Sequence, residues 1–218
     1  MTRRTRTTAS TVLTVAALAA GTALAGPAGA TAHTAAPTSV SGPTTSRGTT
    51  GFLSASQLPP HPTSAWTAGR VTPGVPGELV FCLEEALPGY NSSYRDFRTD
   101  LETNAQQLTV VVGSYAKAGA LAARLNTAIE DCAAKSERAD SEIEATLRDY
   151  GTLPVEEGAH VYGVHTSTSW GATDINLYSV GRDGRAVTVV KWGQMGDFSD
   201  APVEAFEQTT VTAVDKLY

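Results

Sequence analysis

Cysteine, methionine and aromatic residues are sparse: two, two and 7% of 218 residues. Two cysteines do not make a zinc site, and no further ligands stand at close spacing to complete one. Basic residues are also few, 16 against 22 acidic ones, for a formal net charge of −6. A nucleic-acid binder needs a basic face that releases counterions from phosphate, so that class is excluded, and adhesion to an anionic membrane surface is disfavoured. The apolar stretch Thr11 to Ala25 is short and broken by Thr and Gly, so no stable membrane span is expected. Gly-x-Ser-x-Gly, His-Glu-x-x-His, the P-loop, Gly-x-Gly-x-x-Gly and the EF-hand loop are all missing. No cofactor or metal is therefore expected. A Ser-His-Asp set scattered along the chain escapes such a search.

What the N-terminus does carry reads as a secretory signal, the plainer alternative being an uncleaved N-terminal anchor. Arg3-Arg4-Thr5-Arg6 precedes the apolar stretch, and small-residue cleavage patterns follow at Ala23-Leu24-Ala25, Ala28-Gly29-Ala30 and Ala30-Thr31-Ala32. No cysteine stands there to take a lipid. Removing residues 1–32 takes three arginines and leaves a mature charge near −9. Residues 33–51 are almost entirely Thr, Ser, Pro, Gly and Ala, a linker composition without the apolar surface to order itself. The folded domain is expected over 52–218, secreted to the extracellular side. Cys82 and Cys132 both fall in it, and two thiols in an oxidising place predict a disulfide.

Along the domain, Ser54 to Gln57 reads as a capping box opening a very short helix stopped by Pro59-Pro60. Leu79 to Leu83 is apolar on both sides, and Glu84 to Leu87 reads as one helical turn. Strands are predicted over Tyr94 to Asp100 and Gln107 to Val112, joined as a hairpin. A helix over Tyr115 to Lys135 follows, with Ala118, Leu121, Ala122, Leu125, Ile129 and Cys132 at helical spacing. Cys132 on that stripe would pin the helix to the segment around Phe81. Ser136 to Asp140 reads as a loop, and Ile143 to Leu153 fits either a helix or a strand. Ala159 to Thr166 alternates as a strand, and Val203, Phe206, Thr210, Val214 and Leu217 form a last helix face behind Pro202. The expected fold class is α+β: a twisted, mainly antiparallel sheet with two longer helices packed on it and one disulfide.

The centre is Trp170 to Met195, two apolar β-branched runs around Asp183-Gly184. A two-residue turn on those two residues sets Tyr178 opposite Val189 and Asn176 opposite Lys191. Alternation then gives one apolar face, Ile175, Leu177, Val190 and Trp192. The other face carries Val180, Tyr178 and Val189, then turns polar at Asn176, Lys191 and Asp174. Polar groups converging beside an aromatic suit a small ligand, so Asp174, Asn176, Tyr178 and Lys191 are the candidate ligand-binding residues. The plainer alternative is a solvated face with an Asn–Lys cross-strand pair.

Leu53-Ser54-Ala55-Ser56-Gln57-Leu58-Pro59, Phe81-Cys82, the strand–strand–helix ending at Cys132, the β-run and a last helix opening near Asp200-Ala201-Pro202 carry a resemblance. Over nearly all of 52–218 the chain resembles the PknH-like extracellular (sensor) domain of actinobacterial secreted proteins, lipoproteins and receptor kinases. That resemblance implies a twisted antiparallel sheet with two helices and a ligand-binding cleft. The chain carries no kinase domain, membrane span or lipid-attachment Cys, so what is implied is the sensor half alone.

The expectation is an exported, non-catalytic binding domain for a small molecule or cell-envelope component. Its rivals are a secreted hydrolase with His160 or His165 as general base and a structural envelope protein. His160 and His165 fall on opposite strand faces and cannot share a metal. Trp66, Trp170 and Trp192 read as core residues or as a sugar-stacking platform.

Overall fold

A computed structural model describes residues 51–218; the expected signal segment and all but the last residue of the expected linker lie outside the described residues. After a single 3-10 turn at Ala55–Gln57 come β1 (Thr67–Ala68), β2 (Thr72–Pro73), α1 (Gly77–Leu83), β3 (Ser92–Arg98) and β4 (Asn104–Val111). Then follow α2 (Tyr115–Glu130), α3 (Cys132–Ala139), β5 (Ile143–Leu153), β6 (Ala159–Thr168), β7 (Thr173–Asp183), β8 (Ala186–Met195) and α4 (Val203–Asp215). The strands form one eight-stranded antiparallel sheet in the order β1-β3-β4-β8-β7-β6-β5, with β2 also on β3. The fold class is α+β, and a disulfide joins Cys82 to Cys132.

Both faces of the sheet are covered. One face, called here the front, packs Leu108, Val110, Tyr162, Val164, Tyr178, Val180, Val187 and Val189 against Leu79 and Leu83 of α1 and Leu121, Leu125 and Ile129 of α2. The back packs Phe97, Val161, Ile175, Leu177, Val190 and Trp192 against Phe206 and Ala213 of α4, with Leu53 and Leu58 from the N-terminal strap. Burial on both sides is why β8 reads as a near-continuous apolar run. Gln107 at the centre of the back is fully buried, and its amide is spent internally. Its oxygen accepts from Leu53 N at 2.7 Å, and its nitrogen donates to the Thr188 hydroxyl at 3.3 Å. That amide ties the strap to the sheet.

Several local expectations shift. The capping box at Ser54 is present, with Ser54 N donating to Gln57 Oε1 at 2.8 Å. The apolar run Leu79 to Leu83 is helical: it follows Pro76 and buries Leu79, Cys82 and Leu83 at helical spacing, while Phe81 points outward at 45% exposure. The predicted long helix is interrupted at Asp131 and resumes as α3, so Ser136 to Ala139 is helix rather than loop. The stripe nevertheless continues through the break, with Ile129, Cys132, Ala133 and Ser136 all buried. Ile143 to Leu153 is an edge strand with a bulge at Asp149/Gly151. The central hairpin turns on Gly184 and Arg185, one residue later than read from sequence, with Asp183 paired to Ala186.

Candidate functional site

The turn shift changes partners without changing faces. Moving a two-residue turn by one position changes pairing in steps of two along each strand, so alternation is preserved. Tyr178 therefore faces Lys191, Asn176 faces Gly193 and Asp174 faces Met195. All four candidate residues share the front face, and pairing across the sheet extends their row. Gln106 of β4 lies beside Lys191, and Asp96 of β3 lies beside Gln106. In the other direction, Tyr162 of β6 lies beside Tyr178 and Asp149 of β5 beside Tyr162. A polar row, Asp96–Gln106–Lys191–Tyr178–Tyr162–Asp149, thus crosses six strands.

The middle of that row is roofed by α1. Tyr178 is buried, and its hydroxyl reaches Cys82 Sγ at 3.6 Å. Burial, and secondarily the Glu78 carboxylate, pushes that hydroxyl far above the ordinary tyrosine range, so it stays a neutral phenol. Lys191 is 8% exposed, and its Nζ donates to Glu78 Oε2 at 3.4 Å. Glu78 itself is more than half exposed. Gln106 is 6% exposed, and its Oε1 has no hydrogen-bond partner. Burial raises the Asp96 carboxyl above the usual range, a side-chain hydrogen bond from Gln106 pulls it back, and Glu78 adds to the rise. Of the Gln106 amide, only the nitrogen can donate to Asp96, which leaves the oxygen unpartnered.

Toward Asp174 the roof ends. Asp174 is exposed, Asn176 and Asn104 are half-buried, and Met195 is 63% exposed. Asn104 Oδ1 is a second unpartnered buried oxygen. Gly193 matters here because a Cβ at that position would overlap Asn176 Oδ1. Its bare backbone lets the Asn176 amide lie across β8 and keeps the floor shallow. The floor thus offers one ammonium, two orphan amide oxygens and the Asp96, Glu78 and Asp174 carboxylates at its edges. Asn104, Gln106, Asp96 and Glu78 were not read from sequence as site residues. The neighbouring Gln106-Gln107 pair inside an apolar strand was the signal, since it places an amide on each face of a buried sheet.

The far end of the row is chemically separate. His160 Nε2 lies 2.6 Å from Asp149 Oδ1, and its ring stacks on Tyr162 with centroids 4.3 Å apart. That hydrogen bond, followed by one from Gly151 N, holds the Asp149 carboxyl below the usual carboxylate range. Tyr162 donates to Glu130 Oε1 at 3.0 Å. His160 borders a groove of about 270 Å³ beneath α2, shared with Asn126, Thr152 and Arg182. His165 faces the back beside Phe198, at 5.6 Å between ring centroids. The two histidines are on opposite faces, as their spacing requires. Of the tryptophans, Trp192 is buried, Trp66 donates Nε1–H to Pro59 O at 2.7 Å, and Trp170 is 63% exposed.

Among the described residues, no helix is long and apolar enough to cross a membrane. No family model matches this chain. No curated protein matches it either. A solved structure similar to it is the extracellular domain of PknH from Mycobacterium tuberculosis, at 11% identity, a TM-score of 0.37, and coverage of 69% of this chain and 85% of that one.

Proposed function

We propose that this chain is an exported, non-catalytic binding domain of sensor type. In this reading residues 1–32 are removed on export, 33–51 are a tether, and 52–218 hold a small molecule or cell-envelope component. The ligand lies on the front-face floor at Lys191, Asn176 and Asp174, with Tyr178 as its rigid wall and Gln106 and Asn104 completing it. One observation carries the reading: a buried ammonium with one partner stands in a row with a buried amide oxygen that has none. Buried polar groups are nearly always satisfied, so such a pair marks where an outside molecule completes the hydrogen bonding. The disulfide behind Tyr178 accords with an oxidising location.

Native mass spectrometry of the protein purified from its source tests this reading, through a small molecule that travels with the folded chain. The Lys191→Ala, Asn176→Ala double variant is expected to fold and to lose that molecule. Full retention by a folded double variant would move the site elsewhere. A hydrolase reading has one point in its favour, the short His160–Asp149 contact, which is how a general base is oriented. Covalent labelling by a serine-directed activity probe, abolished in His160→Ala, would replace binding by catalysis.

A further inference from the structure

The opposite side of β8 holds a second, differently built cavity. Its volume is about 350 Å³, and it lies between the strap at 59–62, the end of β8 and the approach to α4. Pro59, Pro60 and Pro62 form one wall, and Pro202 and one edge of the nearly buried Trp192 form the other. Proline rings lock φ and carry no N–H, so these walls present C–H surface and carbonyls and lose little entropy on binding. The strap is pinned by the bond from Trp66 Nε1 to Pro59 O at 2.7 Å. The cavity is thus set before any ligand arrives, and its size is that of small-molecule sites.

Three polar side chains border it, and each has a defined group left over. Thr63 N and Ser64 N donate to His61 Nδ1 at 3.3 and 3.1 Å. An Nδ1 that accepts two bonds carries no proton, so neutral His61 has its hydrogen on Nε2 as a donor. Gln194 accepts from the Thr103 hydroxyl at 3.4 Å and donates to Asp200 O at 3.3 Å, which leaves one amide N–H. Asp200 Oδ2 accepts from Asp197 N at 2.9 Å, and Oδ1 makes no bond to the protein among the described residues. The surplus is two N–H donors and one carboxylate oxygen, bordered by C–H walls.

A hydroxyl is the group that both gives to a carboxylate and takes from an N–H. An anion would meet the Asp200 charge, and a purely apolar molecule would leave all three polar groups unpaired. We infer that this cavity binds a neutral hydroxylated ring, a single sugar residue. Its ring C–H bonds lie against Pro60, Pro62 and the Trp192 edge, and adjacent hydroxyls span Asp200, Gln194 and His61. Because Trp192 and Lys191 are consecutive on β8, this site is back to back with the front-face floor. It stands whether or not that floor binds anything.

The test uses the full chain labelled with 5-fluorotryptophan, whose signals are assigned by single Trp→Phe variants. Methyl glucoside, methyl mannoside, methyl rhamnoside, methyl arabinoside and N-acetylglucosamine are titrated separately, with ¹⁹F NMR as the readout. At least one is expected to move the Trp192 signal saturably while Trp170 stays still. Asp200→Asn keeps the side chain's size and is expected to weaken that sugar about tenfold, the loss of one charge-assisted hydrogen bond. Gln194→Met is expected to weaken it similarly. The inference is overturned if no sugar moves Trp192, if all three signals move together, or if both folded variants bind as the parent does.

Discussion

Lys191 is held by a carboxylate that water holds almost as well, and the imbalance is measurable. The ammonium is largely buried while Glu78 is more than half exposed, at an Nζ–Oε2 distance of 3.4 Å. Removing Glu78 strands a buried charge; removing Lys191 returns a carboxylate to solvent. Glu78→Ala is therefore expected to cost about 1–3 kcal/mol in urea unfolding. Lys191→Met, which keeps the apolar stem, should stay within about 1 kcal/mol of the parent. Were Lys191→Met the costlier change, the ammonium would have partners other than Glu78. None of this was legible at the single-residue level. The sequence marked Lys191 as the polar residue in an apolar run, but Glu78 stands 113 positions away. No local pattern joins the two.

At the scale of the element, the β7–β8 hairpin shows what a hydrophobic pattern determines and what it leaves free. Alternation assigned every side chain to its face, because a slip of one turn position keeps parity. The turn itself was chosen by chemistry the pattern does not contain. Gly184 adopts φ +57° as the first of the two turn residues, and its N–H donates to Glu157 Oε2 at 2.8 Å. The neighbouring Asp183 carries the cost of that clamp. Burial, then the Glu157 and Asp215 carboxylates, raises its carboxyl above the unfolded value of 3.8. A raised acid binds its proton more tightly in the folded state, so stability falls as pH rises from 3.8 through the folded value and stays lower above it. Asp183→Asn should therefore raise Tm at pH 7, with the gain vanishing below pH 3.8. A gain unchanged across that range would assign it to turn preference instead. Two residues earlier, Gly181 admits α4 so closely that a Cβ would overlap Val214 Cγ2. Gly181→Ala is expected to destabilise by about 1–3 kcal/mol despite the entropy it removes from the unfolded chain. Thermal melts of the two variants should move in opposite directions.

Across the whole molecule, the order of strands and helices was legible wherever a long element has a clear period, which Ile143 to Leu153 lacks, and the disulfide because only two thiols exist. The pairing of β4 with β8 was not. It joins residues about 80 apart, such as Leu108 and Val189, and no turn announces it. That one pairing brings Gln106 and Asp96 to Lys191, so the β3 and β4 part of the candidate floor was invisible until the sheet assembled. The placement of α1 was hidden for another reason: a short apolar run such as Leu79 to Leu83 looks the same whether it becomes helix or strand. Once placed, it is a roof fastened by Cys82 to the first residue of α3 and touching Tyr178 beneath. The bridge spans 50 residues and encloses only the front helices with β3 and β4. On the back, α4 is held independently, with the Thr209 hydroxyl donating to Gln57 O at 2.8 Å. Replacing both cysteines by alanine should lower unfolding free energy by about 2–5 kcal/mol. The loss should also be uneven. In hydrogen exchange, amides of α1 and of the α2–α3 junction should speed up first, while α4 and the β7–β8 ladder keep their protection. Early exchange in α4 would mean that the two faces unfold as one unit and that the roof over Lys191 is not separately fastened.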